Sequence, residues 1–230
     1  NIVFCTKNGI IKKTSLEQYS RPRANGIIAI SIREDDRVIS VALTDGDSDI
    51  IMANRGGKAV RFHESKVRAM GRTATGVKGM DIEANDEVVG MVVLPKNDET
   101  EHSLLVLSEQ GVGKSSAVDE YPTVSRGCKG VMTLKVTEKT GKLVAMMDVN
   151  DENDLMIINK SGITIRPSVD QIPIQGRATQ GVKITNLGKK HDCIGSVCKV
   201  SRENEEEALP VEGAENNTVA NENGETQNNE

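Results

Sequence analysis

A chain of 230 residues with 37% hydrophobic content can fill one or two domains, but it contains no run of 18 apolar residues that would span a bilayer. Aromatic residues are only 2%, namely Phe4, Tyr19, Phe62 and Tyr121, which disfavours base stacking as a way to hold single-stranded nucleic acid. The net charge of −5 is segregated: residues 202–230 carry nine Glu and one Arg, leaving 28 basic and 25 acidic residues in 1–201, and such asymmetry suggests a nucleic-acid partner plus a solvating or competing tail.

In chain order, one unit recurs four times with a period near fifty, over about 1–49, 50–103, 104–154 and 155–201. Each copy opens with an apolar strand running into a glycine turn: Ile2–Cys5 before Gly9, Ile50–Ala53 before Gly57, Leu104–Leu107 before Gly111, and Leu155–Ile158 before Gly162. Glycine there supplies the positive φ of a hairpin, and a second strand returns, as in Ile10–Lys13 and Ile163–Arg166. A second glycine follows at Gly26, Gly76, Gly130 and Gly181, 17, 19, 19 and 19 residues after the first. A third strand begins at Ile27, Val77, Val131 and Val182, and a fourth at Val38, Val88, Leu143 and Cys193. Four strands per unit at this period predict an all-β, propeller-like array of about four four-stranded blades. The Glu/Asn-rich segment 202–230 reads as a disordered acidic tail. The chain starts inside a strand pattern without an initiator Met, which reads as part of a longer polypeptide.

Aligning the copies separates core from chemistry. Tyr19 and Tyr121 share a position with Val67 and Ile172, so core packing is expected of them rather than catalysis. Cys5, Cys128, Cys193 and Cys198 align with small or apolar residues and are expected as core in a reducing compartment, with no partner spacing for zinc. What survives is basic. Four residues after the first glycine stand Lys13, Arg61, Ser115 and Arg166, with Lys114 beside Ser115. Four before the second glycine stand Arg72, Arg126 and Arg177; the first copy has Pro22 there, flanked by Arg21 and Arg23, and Lys129 lies in the third loop. Arginine in a Gly/Thr/Ser-rich loop suits phosphate, because small residues admit close backbone approach and the guanidinium donates bidentately. The alternative is that each arginine ties its loop to a neighbouring carboxylate or carbonyl. The repeated set favours a basic track for duplex backbone along one edge of the array, made by Arg21, Arg23, Arg72, Arg126, Lys129 and Arg177 and supported by Lys13, Arg61, Lys114 and Arg166.

Ser65–Arg72 with Thr75-Gly76-Val77, Glu120–Gly127 with Lys129-Gly130-Val131, and Gly176–Val182 closely resemble the C-terminal domain of bacterial DNA gyrase A, over residues 1 to about 200. The resemblance implies a β-pinwheel, usually of six blades, that wraps duplex DNA for a type IIA topoisomerase introducing negative supercoils. It also implies a non-catalytic segment without a cofactor of its own, ATP and Mg2+ being used elsewhere in the holoenzyme. The implied partners are duplex DNA, the rest of gyrase A, and gyrase B in an A2B2 assembly, in the bacterial cytoplasm at the nucleoid and away from membrane. The family's basic box Q-R-R-G-G-K-G has only an echo in Gln175–Gly181, as expected of a chain starting partway through the domain. Two readings stand beside this one: the C-terminal domain of topoisomerase IV, and a protein-binding propeller that takes no DNA.

Overall fold

The computed structural model describes residues 1–97, 100–187 and 192–202; the acidic segment expected to be disordered lies almost wholly outside the described residues. The opening glycines adopt the left-handed conformation their turns require, with φ of +78° at Gly9, +80° at Gly57, +72° at Gly111 and +88° at Gly162. Each turn closes an antiparallel hairpin: β1 (Ile2–Thr6) with β2 (Ile10–Thr14), β4 (Ser48–Asn54) with β5 (Lys58–His63), β8 (Ser103–Ser108) with β9 (Val112–Ala117), and β12 (Asn153–Asn159) with β13 (Thr164–Ile165). The fourth strand of each copy pairs with the far side of the first: β3 (Val38–Leu43) on β1, β7 (Val88–Pro95) on β4, β11 (Leu143–Val149) on β8, and β15 (Ile194–Ser201) on β12.

The third strand goes elsewhere. β6 (Val77–Lys78) of the second copy pairs with β2 of the first, β10 (Val131–Met132) of the third with β5, and β14 (Val182–Lys183) of the fourth with β9. Sheet orders are therefore β3-β1-β2-β6, β7-β4-β5-β10, β11-β8-β9-β14 and β15-β12-β13. The fold is all-β and propeller-like, as the repeat predicts, but the outer edge of each four-stranded blade is a strand lent by the following copy. The fourth sheet has three strands among the described residues, and the first copy's third segment, from Ile27, pairs into no sheet among them.

Both glycines of the motif sit at this exchange. The carbonyls of the first three opening glycines each accept two amides from the lent strand's continuation: Gly79 and Met80 on Gly9 (2.8 and 3.2 Å), Thr133 and Leu134 on Gly57 (2.8 and 3.2 Å), Ile184 and Thr185 on Gly111 (2.9 and 3.3 Å). The second glycines enter the ladder so closely that a Cβ would stand 2.6 Å from Ile11 O at Gly76, 2.3 Å from Ala59 O at Gly130 and 2.7 Å from Gly113 O at Gly181. At Gly26 and Gly162, the two positions without an exchange partner, a Cβ would meet nothing within 4 Å.

Among the described residues three hydrophobic cores lie between successive sheets. Ile50 and Met52 face Val3, Cys5 and Ile11, while Ile51 and Ala53 on the same strand face Leu104 and Val106; Leu105 and Leu107 in turn face Leu155 and Ile157. Strands buried on both faces explain why the opening runs are continuously apolar rather than alternating. The inner strands β3, β7, β11 and β15 pack in succession, so the sheets fan out from their edge of the array and the lent strands form the outer rim. Small residues recur on these strands at Ser40, Gly90, Ala145 and Gly195; a Cβ at Gly90 would stand 2.9 Å from Met146 O.

Tyr121, Val67 and Ile172 are buried, and Tyr19 is half-buried against Phe4. The cysteine expectation needs correction. Cys5 is core and Cys193 half-buried, but Cys128 and Cys198 are exposed. Cys128 lies in a rim loop where small residues serve turn geometry rather than packing, and Cys198 pairs with Met156 in the fourth sheet, which no other sheet covers on that side among the described residues. Replacing Gly130 by Ala is expected to cost about 2–3 kcal/mol of stability, from its φ of +79° and the clash with Ala59 O, read as a lower urea midpoint. The same change at Gly26 should cost about 1 kcal/mol, because only the backbone term applies there.

Candidate nucleic-acid interface

The residue four after each first glycine marks where the next copy crosses the blade. Short parallel bridges join Lys13 to Ala69, Arg61 to Thr123 and Ser115 to Ile174, with amides of Met70, Val124 and Gln175 each 2.8 Å from the carbonyls of Lys13, Arg61 and Ser115. Side chains here are consumed by the crossing. Lys13 is buried and its ammonium reaches Glu64 O (2.9 Å) and Glu64 Oε2 (3.1 Å). Arg61 pairs with Asp49 at 2.8 Å and donates to Val118 O (3.0 Å) and Tyr121 O (3.2 Å). Glu64 and Val118 are equivalent positions, so both cations hold the start of the next copy's short 3-10 turn.

Lys114 is also fully buried, its ammonium 2.5 Å from Gly176 O, 2.6 Å from Arg177 O and 3.0 Å from Thr179 Oγ1. Burial pushes its pKa down to about 8; the Glu120 carboxylate opposes the shift and the Arg177 guanidinium adds to it. Lys13, Arg61 and Lys114 are therefore withdrawn from the phosphate track: the crossing chain covers them and spends their donors. Arg166, where no such crossing occurs among the described residues, stays exposed and pairs with Asp154 at 2.9 Å.

The loop arginines form a second recurring pattern. Arg126 donates from Nε to Lys66 O (2.9 Å) and from Nη1 to Lys78 O (3.0 Å). Arg177 repeats this on Glu120 O (3.0 Å) and Met132 O (2.6 Å), and Nη1 of Arg72 reaches Ile28 O. Ile28, Lys78 and Met132 are equivalent, so each arginine staples its own rim loop to the outer strand segment of the copy before it. The alternative of a structural tie is thus realised at each of these loop arginines. The tie is partial: the three residues stay half-exposed, and Nη2 makes no bond among the described residues. Arg21, Arg23 and Lys129 are exposed and make no ion pair among the described residues.

Sequence comparison of the copies passed over two features. Arg68, exposed and without an ion pair among the described residues, extends the basic surface beside the Arg72 loop. Lys12, one position before Lys13, is as buried as Lys114, and its ammonium holds Ala29 O (2.7 Å) and Arg72 O. The signal was a lysine at a place where the second and fourth copies have Val60 and Ile165.

The family model described as "DNA gyrase C-terminal domain, beta-propeller" matches residues 1–45, 48–95, 102–150 and 153–197. The chain belongs to the DNA gyrase C-terminal domain family. It is 38% identical over 214 residues to DNA gyrase A of Salmonella typhimurium, covering 93% of this chain and 24% of that protein. It is 43% identical over 206 residues to DNA gyrase A of Staphylococcus aureus, covering 90% of this chain and 23% of that protein. The chain thus spans about a quarter of the length of these curated relatives. Among solved structures it superposes on the C-terminal domain of DNA topoisomerase IV (26% identity, TM-score 0.80, 87% of this chain and 61% of that one). It also superposes on a DNA gyrase A C-terminal domain (25% identity, TM-score 0.74, 86% and 64%). Four matched segments in a gyrase-type domain agree with the four repeats, and the lent strands join one to the next.

Removing the Arg126 side chain from this gyrase-type domain should lower its unfolding free energy by about 1–2 kcal/mol, the loss of two charge-assisted bonds to carbonyls, whereas Arg21→Ala should stay within about 0.5 kcal/mol. Glu64 supplies the pH dependence. Burial alone would raise its pKa, but hydrogen bonds from Thr44, Lys13 and Ser48 outweigh that and hold the carboxyl below its ordinary value. A lowered folded pKa means that the stabilisation is present above the ordinary carboxylate value and is lost as pH falls through the folded one. Unfolding free energy measured by urea titration should therefore fall as pH drops through the acid range, and Glu64→Gln should flatten that acid limb while lowering stability at neutral pH.

Proposed function

We propose that this chain binds the sugar-phosphate backbone of duplex DNA along its outer rim, without base readout, and bends the duplex around the fan of blades. The observation that carries the reading is the repeated loop arginine, tied to backbone carbonyls and open at Nη2, at equivalent rim positions of successive copies. A guanidinium fixed in this way has already lost its rotamer freedom, so contact with a phosphate costs less ordering entropy. Arg21, Arg23 and Lys129 add unpaired charge, and Arg72, Arg126 and Arg177 complete a set of six. In this reading the chain is the wrapping module of a type IIA topoisomerase of A2B2 composition in the bacterial nucleoid. Negative supercoiling driven by ATP with Mg2+ belongs to other parts of that assembly.

Filter binding of a duplex of about 40 base pairs across salt concentrations tests the proposal. Six neutralised phosphates give a log–log slope of about −5. Arg21→Ala with Arg23→Ala should reduce that slope by about two, while Arg166→Ala, outside the loop set, should leave it within about half a unit. Absence of binding at low salt, or binding indifferent to salt, would refute the rim track and favour a protein-binding propeller. Deleting residues 203–230, with their nine Glu, should tighten binding at low salt by removing a competitor for the same cations.

A further inference from the structure

The three stapled rim loops are not alike, and the difference lies in one peptide group. In loop 71–76 the carbonyl of Arg72 accepts a bond from the buried ammonium of Lys12, and in loop 176–181 the carbonyl of Arg177 accepts from Lys114 at 2.6 Å. Both lysines lie beneath their loops with no exposed surface. In a planar trans peptide the C=O and the following N–H point in opposite directions. A carbonyl drawn inward by lysine therefore turns the next amide outward: Thr73 N–H and Ala178 N–H, in exposed residues, make no bond among the described residues.

Loop 125–130 has the opposite arrangement. The position beneath it holds Val60, which offers no donor. Here the equivalent amide, Gly127 N–H, points inward and donates to Gly79 O at 2.6 Å, so the Arg126 carbonyl faces out. Flipping the central peptide of a turn in this way demands positive φ at its second residue, and Gly127 has φ of +77° where Thr73 and Ala178 have negative values.

We infer that Lys12 and Lys114 are positioning residues that set the polarity of the rim. They make loops 71–76 and 176–181 phosphate sites with an outward amide beside the arginine, whereas loop 125–130 presents a carbonyl and contributes only through side chains. The inference rests on the DNA reading above and adds unequal, alternating strength around the rim. An outward N–H next to a guanidinium supplies two converging donors for one phosphate oxygen pair. An outward carbonyl repels the same group, leaving Arg126 and Lys129 to act as point charges.

The test uses the full chain and a duplex of about 20 base pairs, with amide chemical shifts and Kd as readouts. On adding DNA to the unmodified chain, the amides of Thr73 and Ala178 are expected to move most among the rim loops and Gly127 least. Lys114→Met should weaken binding by about tenfold at about 100 mM salt and reduce the salt slope by about one, and it should abolish the shift at Ala178 while leaving that at Thr73. If Lys114→Met does not fold, the shift pattern of the unmodified chain decides alone: a response at Gly127 equal to those at Thr73 and Ala178 overturns the inference. A folded Lys114→Met chain with unchanged affinity and slope also overturns it, while the DNA reading stands. If the unmodified chain binds no DNA, the proposed function fails and this inference falls with it.

Discussion

Strand lending between consecutive copies is the constraint on which the rest of this structure depends. Among the described residues no hairpin completes its own four-stranded sheet; the first three take their outer strand from the copy that follows. One event therefore links three levels. It closes the blade, it brings the next copy's apolar run against the previous sheet to make an inter-blade core, and it carries a loop across the rim. At the three exchanges it explains both glycines, since each must let a neighbouring backbone approach closer than a Cβ would allow. Cores between sheets, rather than within one, also make the array cooperative from copy to copy.

Much of this was legible in the sequence. The first glycines, the hairpins and the opening strands stand where their spacing puts them, because turn chemistry and burial on both faces are local properties. The family resemblance is matched by the family model and by the curated relatives. The third strand was legible as an apolar start at Val77, Val131 and Val182, but its destination was not. Strand partners are chosen by nonlocal geometry, and a two-residue edge strand carries too little pattern to name its partner. The same limit applies to Ile27, which has the residues of a lent strand and joins no sheet among the described residues.

The cations divide by a rule that charge counting does not see. Lys13, Arg61 and Lys114 have the composition of a phosphate site, yet the crossing chain covers them and takes their donors. The loop arginines escape because they lie on the crossing chain rather than under it. Their guanidinium bonds go to backbone carbonyls rather than to carboxylates, although Glu120 Oε2 accepts the Arg177 amide at 2.5 Å. A residue can therefore be structural and still project charge.

The most direct measurement is hydrogen exchange of the full chain with and without a duplex of about 40 base pairs, resolved to short peptides. Protection on DNA binding is expected in segments 71–76 and 176–181 and around Arg21 and Arg23, with little change in the inner strands Val38–Leu43, Val88–Pro95 and Leu143–Val149. Protection confined to those inner strands, or absent from the rim while DNA is bound, would contradict a phosphate track along the outer rim.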